Sequence, residues 1–112
     1  MIMLFRNEVT KNGLYLRIKD RYCKYKNIEI DLSPKLFETL IILAKTPQRF
    51  QRIDKASTKE FMTEKEKTDV KRINARFRQL GLTNKPIIIS KSLVGYKLNP
   101  NVFNTNLIEI ED

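Results

Sequence analysis

The feature that most constrains this chain is a basic, amphipathic segment at residues 64–81, EKEKTDVKRINARFRQLG, which a β-rich ending follows. At about 100° per residue, its apolar residues fall on one face of a helix: Val70, Ile73, Phe77 and Leu80. Cations cover the flanks, namely Lys67, Lys71, Arg72, Arg76 and Arg78. The middle of the polar face holds small or hydrogen-bonding residues, namely Thr68, Ala75 and Gln79. The pattern predicts a helix that packs on one side and is cationic on the other.

A helix of this kind suits the major groove of DNA. Its cations can reach phosphates, and the small residues in the middle allow the backbone to approach the base edges. A solvated basic face explains the same pattern equally well when the helix is considered alone. The segments on either side of the helix therefore decide how it is interpreted.

The first third of the chain alternates in a way that is typical of strands. Apolar residues recur at every second position of residues 14–18, and similar segments lie at residues 22–25 and 28–32. Residues 1–5 are a further candidate strand. The pattern predicts an N-terminal antiparallel sheet of three or four strands.

Helical patterns occupy the middle of the chain. A core helix starts at Ser33-Pro34, because serine is a favoured N-cap and proline at the first helical position loses no hydrogen bond. Thr46-Pro47 ends this helix, since a residue before proline disfavours helical geometry. A second, weaker helix is predicted at residues 54–62, ahead of the basic helix.

The end of the basic helix leads into a predicted hairpin. Gly81 can terminate the helix, and residues 87–89 and 95–98 have the composition of two paired strands. The order of N-terminal sheet, three helices and C-terminal hairpin predicts an α+β winged helix-turn-helix.

Two units are expected in this arrangement, a domain at residues 1–99 and a C-terminal tail at residues 100–112. In a winged helix-turn-helix the third helix, here about residues 64–81, enters the major groove. The hairpin, or wing, at about residues 87–98 would contact an adjacent groove or phosphate.

The composition narrows the class of protein further. The 22 Lys and Arg residues against 13 Asp and Glu give a net charge of +9, which favours a polyanionic partner. No apolar run approaches the roughly 18 residues that span a bilayer, so no membrane association is expected. The single cysteine, Cys23, cannot form an internal disulfide and indicates a reducing compartment, which predicts a cytoplasmic protein.

Catalytic and metal-binding chemistry have little support in the sequence. The chain has no histidine, and it lacks a Gly-rich phosphate loop, a metal-ligand spacing and a serine beside a suitable base. Cys23 lies in an alternating segment and is predicted to be a packing thiol. We therefore expect neither an enzyme nor a bound metal or cofactor.

In this order the segments resemble the OmpR/PhoB-type winged-helix effector domain, the DNA-binding half of many bacterial response regulators. The resemblance covers roughly residues 14–98 and rests on four segments: LYLRIKDRYCKYKNIEIDLS, LSPKLFETLIILAK, TDVKRINARFRQL and VGYKL. It implies binding as a homodimer to repeated half-sites. It also implies contact with RNA polymerase through the loop before the third helix, about residues 62–67.

The predicted DNA contacts come from three places. Those on the basic helix are Lys67, Thr68, Lys71, Arg72, Ala75, Arg76, Arg78 and Gln79. Those at the wing are Lys91 and Ser92, and those between the first two helices are Arg49 and Arg52. Arg76 lies near the apolar edge, so pairing with Asp69 or packing of its stem on the core are alternatives for it.

These features favour a transcription regulator that binds double-stranded DNA in a sequence-specific manner. The same basic surface also suits RNA, or an acidic protein partner to which residues 107–110 would add a strand. Steep salt dependence combined with discrimination between duplexes distinguishes DNA recognition from these alternatives.

Overall fold

The computed structural model of the chain describes residues 13–53 and 63–112, whose strands form two sheets. The larger sheet contains β1 (Leu14–Arg17), β2 (Tyr22–Tyr25), β3 (Ile28–Glu29) and β6 (Ile108–Glu111). The smaller sheet is a hairpin of β4 (Ile88–Lys91) and β5 (Gly95–Leu98). The two helices of this part of the chain are α1 (Pro34–Lys45) and α2 (Glu64–Gln79). The order of strands in the larger sheet is β3-β2-β1-β6.

Tight turns join the first three strands, which are antiparallel. Lys26 and Asn27, between β2 and β3, have φ values of 49° and 66°. Two consecutive positive φ angles are typical of the type I′ turn, which matches the twist of a hairpin. β1 and β2 lie where the alternation at residues 14–18 and 22–25 predicted them. The candidate strand at residues 1–5 lies outside the described residues.

The last strand, β6, is formed by residues that the sequence pattern assigned to a tail. It pairs in parallel with β1, so that Ile110 lies beside Leu16. Gly13 permits this approach, because a Cβ there would lie 2.1 Å from the carbonyl oxygen of Leu107. The sheet is therefore mixed, and the prediction of an antiparallel sheet is wrong. Alternating Ile and Glu over four residues is too short a signal to reveal a partner strand at the other end of the domain.

Helix α1 begins and ends where its local signals predicted. The Ser33 hydroxyl accepts a hydrogen bond from the Leu36 amide at 3.4 Å, and Pro34 occupies the first turn. Thr46 is the C-cap, directly before Pro47. The buried apolar residues of the helix are Phe37, Leu40, Ile41, Leu43 and Ala44.

A capping box starts α2. The Thr63 hydroxyl accepts from the Glu66 amide at 3.2 Å, and the Glu66 carboxylate accepts from the Thr63 amide at 2.9 Å. The helix thus begins at Glu64, which confirms the start of the helix predicted at residues 64–81, so that residues 64–67 of the loop implied at about residues 62–67 form its first turn. Gly81 follows the last turn with a φ of 71°, a value that favours glycine.

A third segment of the chain pairs with the hairpin through a single pair of residues. Gln51 and Tyr96 exchange two backbone hydrogen bonds of 2.9 and 2.8 Å, which attach the segment after α1 to β5. Gly95 is suited to this contact for two reasons. Its φ is 144°, and a Cβ on it would lie 2.3 Å from the Gln51 carbonyl oxygen.

The predicted order of three helices followed by a C-terminal hairpin is wrong for the described residues. They contain two α-helices, and the hairpin is followed by a 3-10 turn, Thr105–Leu107, and then by β6. The predicted second helix, at residues 54–62, lies outside the described residues. The class is α+β, and the end of the chain returns to the first sheet instead of ending at the hairpin.

An aromatic cluster in the core joins the sheet to α2. The ring centroids of Tyr25 and Phe77 are 5.7 Å apart, those of Tyr25 and Phe103 are 4.9 Å apart, and all three residues are buried. Phe103 comes from the segment between the hairpin and β6. Tilted contacts of this kind are favourable beyond the area that they bury. The cluster fixes the rotation of α2 and therefore the face that it exposes.

Candidate nucleic-acid interface

The two sides of α2 differ in charge as well as in burial. Its buried residues are Glu66, Asp69, Val70, Ile73 and Phe77. Its exposed residues include Lys67, Thr68, Lys71, Arg72, Arg78 and Gln79. Two of the helix's three acidic residues are therefore on the inward side. The outward face, defined by these six exposed residues, carries an excess of positive charge.

Glu66 is held at the start of α2 by donors that converge on its carboxylate. Arg52 donates from Nε at 3.0 Å and from Nη2 at 2.5 Å. The Ile53 amide donates at 3.1 Å, and the Thr63 amide completes the capping box. A carboxylate that is 1% exposed requires such partners to remain charged. Arg52, predicted to contact DNA, therefore has a structural role, because its guanidinium is engaged by this buried acid.

The other two acids of α2 have weaker partners. Asp69 is buried, and its Oδ1 lies 3.5 Å from Nζ of Lys35 in α1. Glu64 is exposed, and its Oε1 lies 3.5 Å from Nζ of Lys67. An exposed pair of this type contributes little, and its lysine can exchange the carboxylate for another anion.

Asn74 fixes the hairpin against α2. Its Oδ1 accepts from the Ile88 amide at 2.9 Å, and its Nδ2 donates to the Ile88 carbonyl at 3.2 Å. A groove of about 350 Å³ lies between helix and hairpin, lined by Lys67, Val70, Lys71, Asn74, Ile88, Ser90 and Tyr96. Sequence reasoning missed Asn74. The available signal was the position of Asn74 beside the apolar face of the helix. Asparagine is unfavourable within a helix unless a partner satisfies its side-chain amide.

A cluster of Phe50, Lys91 and Lys97 adds charge to the hairpin. The Lys97 Nζ lies 4.7 Å from the centroid of the Phe50 ring, and the Lys91 Nζ lies 5.9 Å from it. The backbone bridge of the neighbouring Gln51 holds Phe50 beside β5. Phe50 and Lys97 were not among the predicted site residues, because the bridge joins segments that are far apart in sequence.

The remaining predicted contacts are placed as follows. Ala75 and Arg76 are half-buried, and Arg76 donates from Nε to the Asp31 carbonyl at 3.1 Å instead of pairing with Asp69. Lys91 and Ser92 are exposed at the end of the hairpin, and Arg49 is exposed after α1. The structure thus exposes most of the predicted set and withdraws Arg52 into an internal ion pair.

Two groups that could carry reactive chemistry are packed in the interior. Tyr96 is 3% exposed and packs in the core, and burial raises the pKa of its hydroxyl. Burial also raises the pKa of the Cys23 thiol to about 12, so the thiol stays protonated at neutral pH. The prediction of a packing thiol is confirmed.

Comparison with known proteins adds no relative. No protein-family model matches the chain, and no curated protein sequence matches it. Within residues 13–53 and 63–112, neither helix is long and apolar enough to cross a bilayer. The function must therefore be argued from the geometry of α2 and the hairpin.

Proposed function

We propose that this chain is a transcription regulator that binds double-stranded DNA sequence-specifically, with the outward face of α2 in the major groove. The sorting of charge across α2 carries the proposal. Glu66 and Asp69 are buried against cations, whereas Lys71, Arg72 and Arg78 are exposed. Phosphates are the partner that suits such a surface, because each phosphate that a cation neutralises releases condensed counterions.

The dimensions of α2 support insertion into a groove. A helix with its side chains is about 10–12 Å across, and the major groove is about 12 Å wide. Thr68 lies in the middle of the outward face and half-buried Ala75 lies beside it, and short side chains at both positions allow close approach. Gln79 offers an amide that can pair with an adenine edge. Lys71 and Arg72 lie on either side of this line and are suited to phosphates of the two strands.

The hairpin extends the cationic surface beyond the helix. Asn74 holds it beside α2 through two hydrogen bonds, and Lys91 and Lys97 add two charges to it. In the proposed complex these lysines neutralise phosphates adjacent to the groove that α2 occupies.

The resemblance to the OmpR/PhoB-type effector domain contributes further parts of the proposal. These are a cytoplasmic location, binding as a homodimer to repeated half-sites, and contact with RNA polymerase near the start of α2. They depend on the resemblance alone, so DNA binding by the single chain is the part to test first.

The test is a fluorescence-anisotropy titration across a salt series, with a duplex selected from a random pool and a scrambled duplex of the same composition. We expect a steep salt slope and tighter binding to the selected duplex. Substituting Lys71 and Arg72 together by alanine should weaken duplex binding about 100-fold and lower the salt slope by about two units. The melting temperature should hardly change, since both side chains are exposed.

The matched control removes two cations elsewhere, by Lys19→Ala with Lys24→Ala in the β1–β2 region. It should change affinity little, although the net charge falls by the same amount. Equal losses in the two double variants would show that net charge alone attracts DNA. Tighter binding to single-stranded RNA than to any duplex would replace DNA with RNA as the partner, and no salt-dependent nucleic-acid binding would overturn the proposal.

A further inference from the structure

The turn between β4 and β5 exposes apolar side chains at the end of a cationic hairpin. Leu93 is 50% exposed and Val94 is 44% exposed. Among the described residues, Ile28 is the one other large apolar residue with comparable exposure. Leu93 and Val94 are consecutive, so they form a single apolar tip. This tip is not used by the phosphate contacts proposed above.

The backbone at Leu93 is unfavourable for leucine. The Val94 amide donates to the Lys91 carbonyl at 3.0 Å, which closes a turn with Leu93 at its third position. Leu93 has a φ of 67°, and a turn with positive φ at this position favours glycine or asparagine. Folding alone would thus be better served by a small or polar residue there. The leucine places apolar surface at the tip despite a conformational cost, which points to a role in contact with a partner.

The charges around the tip indicate the chemistry of that partner. Lys91 precedes the turn and Lys97 lies on the returning strand, with both ammonium groups over the Phe50 ring. An apolar end with cations behind it is complementary to a target whose anions flank an apolar interior. The minor groove of a duplex has this arrangement, with phosphates at its rims and stacked bases between them. Two half-exposed side chains are enough to enter one base step, whereas binding to a membrane surface scales with a larger buried apolar area.

We propose that Leu93 and Val94 form an apolar wedge that enters the minor groove and partly unstacks one base step, while Lys91 and Lys97 neutralise the flanking phosphates. The inference rests on the proposed binding of double-stranded DNA. It adds deformation of the duplex, which favours flexible pyrimidine–purine steps without reading their base edges. The hairpin thereby contributes shape-dependent selectivity in addition to charge.

The test compares the parent with a Leu93→Asn, Val94→Thr double variant. Asparagine tolerates the positive φ and threonine has nearly the shape of valine, so the turn is kept while its apolar surface is removed. Unwinding is measured by relaxing closed circular plasmid with topoisomerase in the presence of protein and then resolving the deproteinised topoisomers. We expect the parent to shift the topoisomer distribution and the double variant not to shift it. Duplex affinity should fall about tenfold, with an unchanged salt slope because no cation is lost.

An Ile28→Thr variant is the matched control, since it removes comparable exposed apolar surface away from the hairpin and should retain both the unwinding and the salt slope. Salt-dependent duplex binding by the parent without unwinding, or equal unwinding by parent and double variant, would overturn the wedge and leave the proposed function intact. Absence of duplex binding by the parent would overturn both. Binding of the parent, but not of the double variant, to phosphatidylserine vesicles, without plasmid unwinding, would assign the tip to a membrane and overturn the wedge.

Discussion

The inward face of α2 holds two carboxylates against cations, whereas its outward face exposes lysine and arginine to solvent. The same residue types thus have different roles within one helix and its neighbours. Arg52 is engaged by buried Glu66, while Arg72 is exposed one turn after the helix's second buried acid, Asp69. The comparison teaches that the burial of the acids determines which cations remain available. A count of charges in this segment would not separate the two groups.

The largest effect is expected from a substitution at the centre of the inward face. Phe77 is fully buried and contacts the rings of Tyr25 and Phe103. Phe77→Ala should lower the free energy of unfolding by about 3–5 kcal/mol, because it leaves a cavity between the helix and the sheet. Denaturant titration measures this change, and Gln79→Ala on the outward face serves as the control with almost no effect. A Phe77→Ala variant as stable as the parent would mean that α2 is rotated and its faces are exchanged.

A smaller effect is expected when the inward charge is removed without changing its volume. Glu66→Gln should cost about 3 kcal/mol of stability, because the buried side chain loses its charge-assisted hydrogen bonds with Arg52 and the amide cannot accept from all of the donors. Glu64→Gln is the matched control on the same helix turn, and its exposed side chain should hardly affect the unfolding free energy. Equal unfolding free energies for the two variants would contradict the structural role assigned to Glu66.

Local signals were sufficient to predict several individual elements. Ser33-Pro34 marked the start of α1, and the four apolar residues of the basic segment fixed the rotation of α2. These local signals could not predict the complete order of helices and strands. β6 depends on a parallel partner near the other end of the chain, and a four-residue strand of Ile and Glu carries too little periodicity to predict it.

The candidate site could likewise be predicted only where local signals were sufficient. The outward residues of α2 followed from helical periodicity alone, because burial of one face determines exposure of the other. Arg52 could not be separated from Arg49 by sequence, since its partner Glu66 becomes adjacent only after the chain has folded. Asn74 and Phe50 were missed for a related reason. Their contacts with the hairpin are long-range and involve residue types that are common on surfaces.

Arg76 and Arg78 are two residues apart on α2 but differ in exposure. They therefore test the difference between the partly buried border of the helix and its outward face. Arg78 is exposed, whereas Arg76 is half-buried and donates to the Asp31 carbonyl. Arg78→Ala should weaken duplex binding about tenfold without changing stability, since it removes one of the proposed phosphate contacts. Arg76→Ala should lower the unfolding free energy by about 1 kcal/mol and change affinity less. Anisotropy titration and denaturant unfolding of both variants measure these effects. A loss of stability in Arg78→Ala together with a loss of affinity in Arg76→Ala would refute the distinction.

The smallest effect is expected from a substitution on the hairpin, which continues the positive charge of the outward face. Lys91 is exposed, and its flexible ammonium acts on phosphate as a point charge, whereas reading a base edge favours the planar fork of arginine. Lys91→Ala should therefore lower the salt slope by about one unit, which corresponds to about fivefold weaker binding at about 0.15 M salt. The loss should be similar for the selected and the scrambled duplex in the same salt titration. If the substitution instead abolished the preference while binding to the scrambled duplex persisted, Lys91 would be reading sequence, and its assignment to phosphate would be wrong.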